Sequence, residues 1–322
     1  MILKQNAVAG TYGVDPATRS VKERFVSGII ILDKPRGPRS QQAMDFLKRV
    51  LHVKKAGYSG TLDPNVTGVL PVGLNNATRV LQFLLLAPKE YVCVMRLHAD
   101  VPEARVREVM NDFLGTITQR VPKRSAVKRQ VRERSVHTVD LIEIKGRAVL
   151  FKTNVQSGTY IRMLCHDIGE KLGCGANMAE LRRTRVADLT EEYAVTLDQL
   201  RFAYDAWQAG NDEYLAKVIH PIEVATTHLK KMVIIDSAVA SVAHGAALKI
   251  PGIAWLDEGI ERGEAVGVFT LKGELVGVGA ARLSSAAIDM NNEGVAVDVH
   301  TVMIDRSLYP KAWKKQNEKE SE

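Results

Sequence analysis

Apolar positions follow two periods along this 322-residue chain, and the shift between them marks its organisation. Gly28-Ile29-Ile30-Ile31-Leu32 is a continuous apolar run stopped by Asp33-Lys34-Pro35-Arg36-Gly37-Pro38. That pattern predicts a short buried strand and a turn. After Ser40, which reads as a helix cap, Ala43, Met44, Leu47, Val50 and Leu51 recur at helical spacing. Tyr91, Cys93, Met95 and Leu97 share the apolar face of a strand at 91–98, so Tyr91 points inward at its start. Pro102 opens a helix with Val106, Val109, Met110 and Phe113 on one side, and Gly115 closes it. Two strands at 136–144 and 148–156 meet near Lys145-Gly146, and the second runs into Ser157-Gly158-Thr159. The next helix buries Ile161, Leu164, Ile168 and Leu172 and stops at Gly173. Residues 196–224 read as helices with a connection at 207–212. Beyond Lys230-Lys231 the period is that of strands. Ala265 to Leu271 and Leu275 to Ala280 flank a Lys272-Gly273 turn as a hairpin, and Val295 to Ile304 adds more strand.

The expected fold is α+β: a mixed, largely antiparallel sheet with flanking helices, plus a small C-terminal β-barrel of about 75 residues. The expected domains are an N-terminal arm (1–26), a large domain (27–230), the barrel (231–306) and a charged tail (307–322) too poor in apolar residues to fold. The apolar fraction of 46% is enough for ordinary cores. No eighteen-residue apolar run offers a membrane helix, and Met1 to Gly10 lacks the pattern of a secretory signal. Cys93, Cys165 and Cys174 form no C-x-x-C pair. They fit apolar packing in a reducing, cytoplasmic compartment better than a disulfide frame or a zinc site.

Charge sharpens the picture. Residues 1–230 hold 34 Lys+Arg against 24 Asp+Glu, whereas residues 231–322 hold 10 against 13. The excess gathers in residues 120–134, with seven basic residues (Lys123, Arg124, Lys128 and Arg129 among them) and one acid, and again in Arg182-Arg183-Thr184-Arg185. Two such clusters point to a polyanionic partner, with nucleic acid favoured over a merely solvated basic face.

The candidate chemistry centres on Asp63. In Gly57-Tyr58-Ser59-Gly60-Thr61-Leu62-Asp63-Pro64-Asn65-Val66-Thr67-Gly68-Val69-Leu70-Pro71, three glycines and two prolines bracket one acid. Such a segment is a rigid loop that presents a carboxylate beside Leu62, Val66, Val69 and Leu70. A carboxylate so held can be a nucleophile or a base, although most Asp-Pro pairs only start turns. Tyr160 and Arg162 fall at a strand-to-helix junction just past a glycine, with Arg162 off the apolar stripe. Junctions are where scaffolds place working side chains.

Three of these segments together resemble the motifs of TruB-type RNA pseudouridine synthases: the Asp63 loop, Lys89-Glu90-Tyr91, and Ser157-Gly158-Thr159-Tyr160-Ile161-Arg162. Gly28 to Pro35 and Leu181-Arg182-Arg183-Thr184-Arg185-Val186 resemble two further motifs, so the likeness covers about residues 27–200. Residues 231–306, with Gly245-Ala246-Ala247-Leu248-Lys249-Ile250-Pro251-Gly252, resemble a PUA domain, a small RNA-binding barrel. Lys89 to Cys93 and Ser125 to Gln130 look most like the branch guided by H/ACA RNA, and the absence of a long lysine-rich tail points to its archaeal members.

The resemblance implies isomerisation of uridine to pseudouridine in RNA, with no cofactor and no metal. It implies rRNA as substrate within a guide ribonucleoprotein, and also the T-arm uridine of tRNA. The implied partners are guide RNA, substrate RNA, a small zinc-ribbon-type scaffold protein, a glycine/arginine-rich-family protein and a kink-turn-binding ribosomal protein, with no membrane. Asp63, Tyr91 and Arg162 match the catalytic positions: an ionised acid, a tyrosine on the target base, and the cation paired with the acid. Leu181 matches an apolar contact to the base, Tyr160 lines the pocket, and Lys34-Pro35 supports the Asp63 loop. Lys123, Arg124, Lys128, Arg129, Arg182 and Arg183 are the expected RNA backbone contacts, with Lys249 in the barrel. Tyr58 stands where family members usually carry histidine near the substrate strand; tyrosine can stack and donate but does not titrate near neutral pH. The competing expectations are a stand-alone tRNA enzyme and a catalytically silent RNA-binding scaffold.

Overall fold

The computed structural model describes residues 1–120 and 130–310. The chain divides into two compact units, Ile29–Val218 and Met1–Gly28 with Ile219–Glu322.

In the first unit the chain runs through β1 (Gly28–Lys34), α1 (Ser40–Val50), β2 (Ala56–Tyr58), β3 (Thr67–Leu74), α2 (Leu81–Leu86), β4 (Lys89–Leu97), α3 (Glu103–Asn111), β5 (Gly115–Arg120), β6 (Val131–Lys145), β7 (Ala148–Val155), α4 (Ile161–Leu172) and β8 (Ala176–Val186). The strands lie in the order β1–β3–β8–β4–β7–β6–β5, with β2 also paired to β3. Every pair is antiparallel except β3–β8, which is parallel at Thr67↔Arg182 and Gly68↔Arg183. This is the mixed, largely antiparallel sheet that the strand patterns predict.

Burial follows the two periods. Ile29 to Leu32 are buried without alternation, as in a strand covered on both faces. Cys93, Met95 and Leu97 of β4 pack with Val106, Val109 and Met110 of α3 and Ile161, Leu164 and Ile168 of α4. Cys93 and Cys165 are fully buried in that core with their Sγ atoms 3.6 Å apart, consistent with apolar thiols. Helix α4 ends at Gly173, whose φ of +77° suits a residue without Cβ.

Three local expectations differ. Ser40 is the first helical residue rather than the cap; Arg39 holds the cap position, and the Ser40 hydroxyl is taken by Leu62. Gly115 starts β5 rather than closing a helix, which ends at Asn111. The basic stretch is split: Arg120 ends β5, Val131 to Arg134 open β6, and Lys123, Arg124, Lys128 and Arg129 lie outside the described residues.

The second unit carries a seven-stranded sheet ordered Ile2–Leu3, Ile253–Leu256, Lys230–Ile234, Ala265–Thr270, Leu275–Ala281, Val295–Val302 and Leu248–Lys249. The 265–281 hairpin forms as expected. Residues 1–26, expected as a separate arm, are part of this unit: Ile2 and Leu3 pair with Leu256 and Trp255. Gly10 N–H donates to Asp236 and Val14 N–H to the buried Glu274. The expected tail begins too early, because Tyr309 packs in this unit's core and its hydroxyl donates to Glu274. Residues 311–322 lie outside the described residues.

Candidate active site

Asp63 sits at the tip of a loop fixed from four sides. Asp63-Pro64-Asn65-Val66 is a turn closed by Val66 N–H donating to the Asp63 carbonyl at 3.0 Å, with proline at its second position. Ser40 grips the preceding residue, accepting from Leu62 N–H (2.8 Å) and donating to Leu62 C=O (3.1 Å). Lys34, fully buried, donates through Nζ to the carbonyls of Pro35 (2.9 Å), Pro64 (3.3 Å) and Val66 (2.9 Å). Arg183, also fully buried, holds the two ends of the loop. Its Nε–H donates to Val69 C=O (2.7 Å) and its Nη2–H to Gly60 C=O (2.9 Å). These contacts leave the carboxylate itself exposed, at 56% of its side chain, rather than pressed against the apolar residues beneath it.

The strand and junction residues converge on the same place. Tyr91 on β4 lies directly opposite Arg183 on β8, and Cys93 opposite Leu181, so all four project from one face of the sheet. Arg162, on the first turn of α4, brings Nη2 to 3.5 Å from Asp63 Oδ2. The start of α4 is itself clipped. The buried Gln119 side chain accepts from Tyr160 N–H (3.0 Å) and donates to Tyr160 C=O (3.1 Å). A third buried cation, Lys89, donates to the carbonyls of Leu84 (3.0 Å), Leu85 (2.6 Å) and Ala87 (2.7 Å) at the end of α2. Its Nζ also reaches Ser157 Oγ at 3.2 Å, in the loop that leads to Tyr160.

These elements enclose a cleft of about 400 Å³ lined by Asp63, Tyr91, Tyr160, Arg162, Leu181 and Arg183, with Leu62, Val66, Ile161 and Met178 as apolar wall. The cleft is large enough for a base and its sugar, with an acid and a cation at the mouth and a phenol inside. Electrostatics around it are governed by the buried cations. Burial pushes the Lys34 ammonium pKa down, opposed by the Asp63 charge. Burial lowers the Arg183 pKa, opposed by Tyr91. Burial, with the Arg183 charge next in weight, pulls Lys89 down to about 7.

Of the residues singled out in the sequence, Asp63, Tyr91, Tyr160, Arg162 and Leu181 meet in one cleft. Tyr58 lies on β2 opposite Val72, outside the lining of the cleft. The arginines of the 182–185 cluster are engaged within the protein. Arg183 is buried. Arg182 is bidentate to Asp33 (3.0 and 3.1 Å) and bonded to Glu191 (2.8 Å). Arg185 pairs with Glu90 at 3.2 Å. Lys249 is exposed in the other unit, just before a 3-10 turn at Ile250–Gly252. Ser40, Gln119 and Lys89 carry the support that sequence reasoning missed. For Lys89 a signal was present, since a lysine at the first, buried position of a strand needs acceptors.

Comparison with known proteins places the chain in a family. Residues 48–161 match the model of the TruB family pseudouridylate synthase N-terminal domain. Residues 162–227 match that of the tRNA pseudouridylate synthase B C-terminal domain, and 230–303 that of the PUA domain. A probable tRNA pseudouridine synthase B from Methanothermobacter thermautotrophicus is 48% identical over 313 residues, covering 97% of both chains. Its namesake from Pyrococcus abyssi is 51% identical over 94% of this chain and 91% of its own. A chain in the crystal structure of a Cbf5-Nop10-Gar1 complex superposes with a TM-score of 0.93 at 49% identity, covering 97% of this chain and 96% of that one. A chain from an H/ACA RNP bound to a substrate RNA containing 2'-deoxyuridine gives 0.92 at 47% identity, with the same coverage. The chain belongs to the TruB family of RNA pseudouridine synthases and carries a PUA domain.

Proposed function

We propose that this enzyme isomerises uridines chosen by a guide RNA, as the catalytic subunit of an H/ACA-type ribonucleoprotein acting on rRNA. The observation that carries this reading is the match, over nearly the whole of both chains, to the structure of an H/ACA RNP holding substrate RNA. On this reading its partners are guide and substrate RNA and the accessory proteins that the sequence resemblance implies, including relatives of the two that accompany Cbf5 in the matched complex. Three free thiols fit a reducing compartment, and we assign the enzyme to the cytoplasm.

The geometry supports named roles. The target base leaves its stack, as base-modifying enzymes require, and enters the cleft. Tyr91 supports its face, with Leu181 and Tyr160 completing the slot. Asp63, with Arg162 Nη2 at 3.5 Å, attacks the uridine or takes a ribose proton, so that the N–C glycosidic bond breaks. The base turns while still enclosed, and C5 bonds to the same sugar carbon as Asp63 is released or returns its proton. Loss of the C5 proton with protonation of N1 completes an isomerisation with no net redox change. The PUA domain holds RNA with Lys249 exposed for contact.

A stand-alone tRNA activity is the second reading, favoured by the names of the curated relatives. Mapping pseudouridine in rRNA fragments and tRNA, with and without guide RNA and accessory proteins, tests both. Modification that appears only with a matching guide supports the first. Equal modification of tRNA by the protein alone sinks guide dependence.

A further inference from the structure

Arg183 places a permanent charge on the wall of the cleft while keeping almost all of its side chain out of solvent. Its hydrogen bonds go to two backbone carbonyls, not to a carboxylate. A buried arginine without an ion partner is costly, so its five donors must be used well. Two of them tie Gly60 and Val69, which bracket Asp63. The Tyr91 side chain stands directly across the β4–β8 pair from Arg183, and its phenol bears on the Arg183 charge.

Direction follows from chemistry. A guanidinium has donors and no acceptor, so in any hydrogen bond between the two the Tyr91 oxygen accepts. The phenol proton is then left to point elsewhere, and the cleft is where the ring lies. One rigid fork thus ties the acid loop and stands beside the phenol on the same face of the sheet. The backbone is shaped around it. Gly60 has a φ of +71°, and a Cβ there would stand 2.9 Å from Arg183 Nη1. Gly68 has a φ of +103°, and a Cβ there would stand 2.1 Å from the Arg183 carbonyl oxygen.

We propose that Arg183 is a positioning residue for catalysis: it orients the Tyr91 hydroxyl toward the bound uridine and fixes the Asp63 loop, and it makes no contact with RNA phosphate. This rests on the assignment of Tyr91 to the base, and it holds whether the RNA is guided or free. The lysine variant keeps the charge but loses the planar fork, so charge alone will not restore function.

The test is a double-mutant cycle on single-turnover pseudouridine formation, using the full chain in its assembled complex with guide-paired RNA. Wild type, Arg183→Lys, Tyr91→Phe and the double variant are compared at saturating enzyme. Arg183→Lys should lower the rate at least tenfold, with RNA affinity within about twofold and an unchanged salt slope. In that background, removing the Tyr91 hydroxyl should cost at least fivefold less than it costs in wild type. Independent, multiplicative effects would overturn the proposal, as would a flattened salt slope with an unchanged rate. If Arg183→Lys does not fold, Gly60→Ala replaces it in the same cycle, since it displaces the guanidinium from the other side; the same outcomes decide. If wild type converts tRNA but no guide-paired uridine, guide dependence fails, and the cycle run on tRNA still decides the role of Arg183.

Discussion

Arg162 and Asp63 approach to 3.5 Å from two elements, a helix start and a loop, that are each fixed by contacts made elsewhere. Neither side chain is there for stability. Both are about half exposed, and an ion pair open to solvent is worth roughly 0–1 kcal/mol. Arg162→Ala should therefore shift the unfolding free energy by less than about 1 kcal/mol, yet lower turnover at least tenfold with RNA affinity nearly kept. Urea unfolding and single-turnover rates on the same preparation check this. A loss confined to affinity would remove the pair from the chemistry.

Asp63→Asn keeps the shape of the loop, because every tie to it is made by backbone or by neighbours rather than by the carboxylate. Product should fall below detection while RNA binding stays within about twofold of wild type. Pseudouridine mapping beside filter binding measures both, and residual full conversion would exclude Asp63 as the reacting acid.

Both predictions use residues whose positions are legible in the amino-acid sequence. Asp63 stands out through the glycines and prolines around it, Tyr91 through strand alternation and Arg162 through its place at a junction. Each signal is local, and local signals survive in sequence. Arg182 and Arg183 are harder to read for the opposite reason. A run of basic residues shows charge but not direction, and on a strand neighbouring side chains leave by opposite faces. One therefore enters the core while the other meets Asp33 and Glu191. The ties made by Gln119 and Ser40 are not legible, because their partners lie 41 and 22 residues away.

The same distinction sets the salt dependence of RNA binding. Arg182 already spends its charge on two acids, so Arg182→Ala should change the slope of log K against log salt by less than about 0.5. Replacing Lys123, Arg124, Lys128 and Arg129 by serine should flatten the slope by about three if all four sit on phosphates. Binding titrations at four salt concentrations separate these outcomes. A large slope change in Arg182→Ala would return that residue to the RNA surface.

Lys89 gives the enzyme a stability that rises with pH. Its folded pKa, lowered to about 7 by burial and then by Arg183, lies below that of the unfolded chain. Below 7 both states carry the proton, and the folded state bears the full cost of the buried charge. Between 7 and about 10.4 the unfolded state binds more protons, so unfolding becomes harder as pH rises, by at most about 1.4 kcal/mol per unit. Lys89→Met lacks this titration. The stability difference between wild type and variant should hold steady from pH 5 to 6 and move in favour of wild type between 7 and 9. Urea midpoints across that range report it, and a difference that stays constant throughout would mean Lys89 does not titrate there.

Gly68 couples the loop to the sheet most tightly. It lies in the β3–β8 parallel contact opposite Arg183, with φ at +103° and no room for a methyl group. Gly68→Ala adds left-handed strain, on the order of 1–3 kcal/mol, to a clash that only separation of the two strands relieves. Moving β8 moves the guanidinium that holds Gly60 and Val69 and faces Tyr91. Gly173→Ala is the control, since its φ of +77° brings similar strain with no atom within 4 Å of the new methyl group. Both variants should lose stability, Gly173→Ala by about 1 kcal/mol and Gly68→Ala by more. Compared at a temperature where circular dichroism shows both folded, only Gly68→Ala should lose pseudouridine formation, by at least tenfold. Equal rates in the two folded variants would show that the acid loop keeps its geometry without the close approach of β3 to β8.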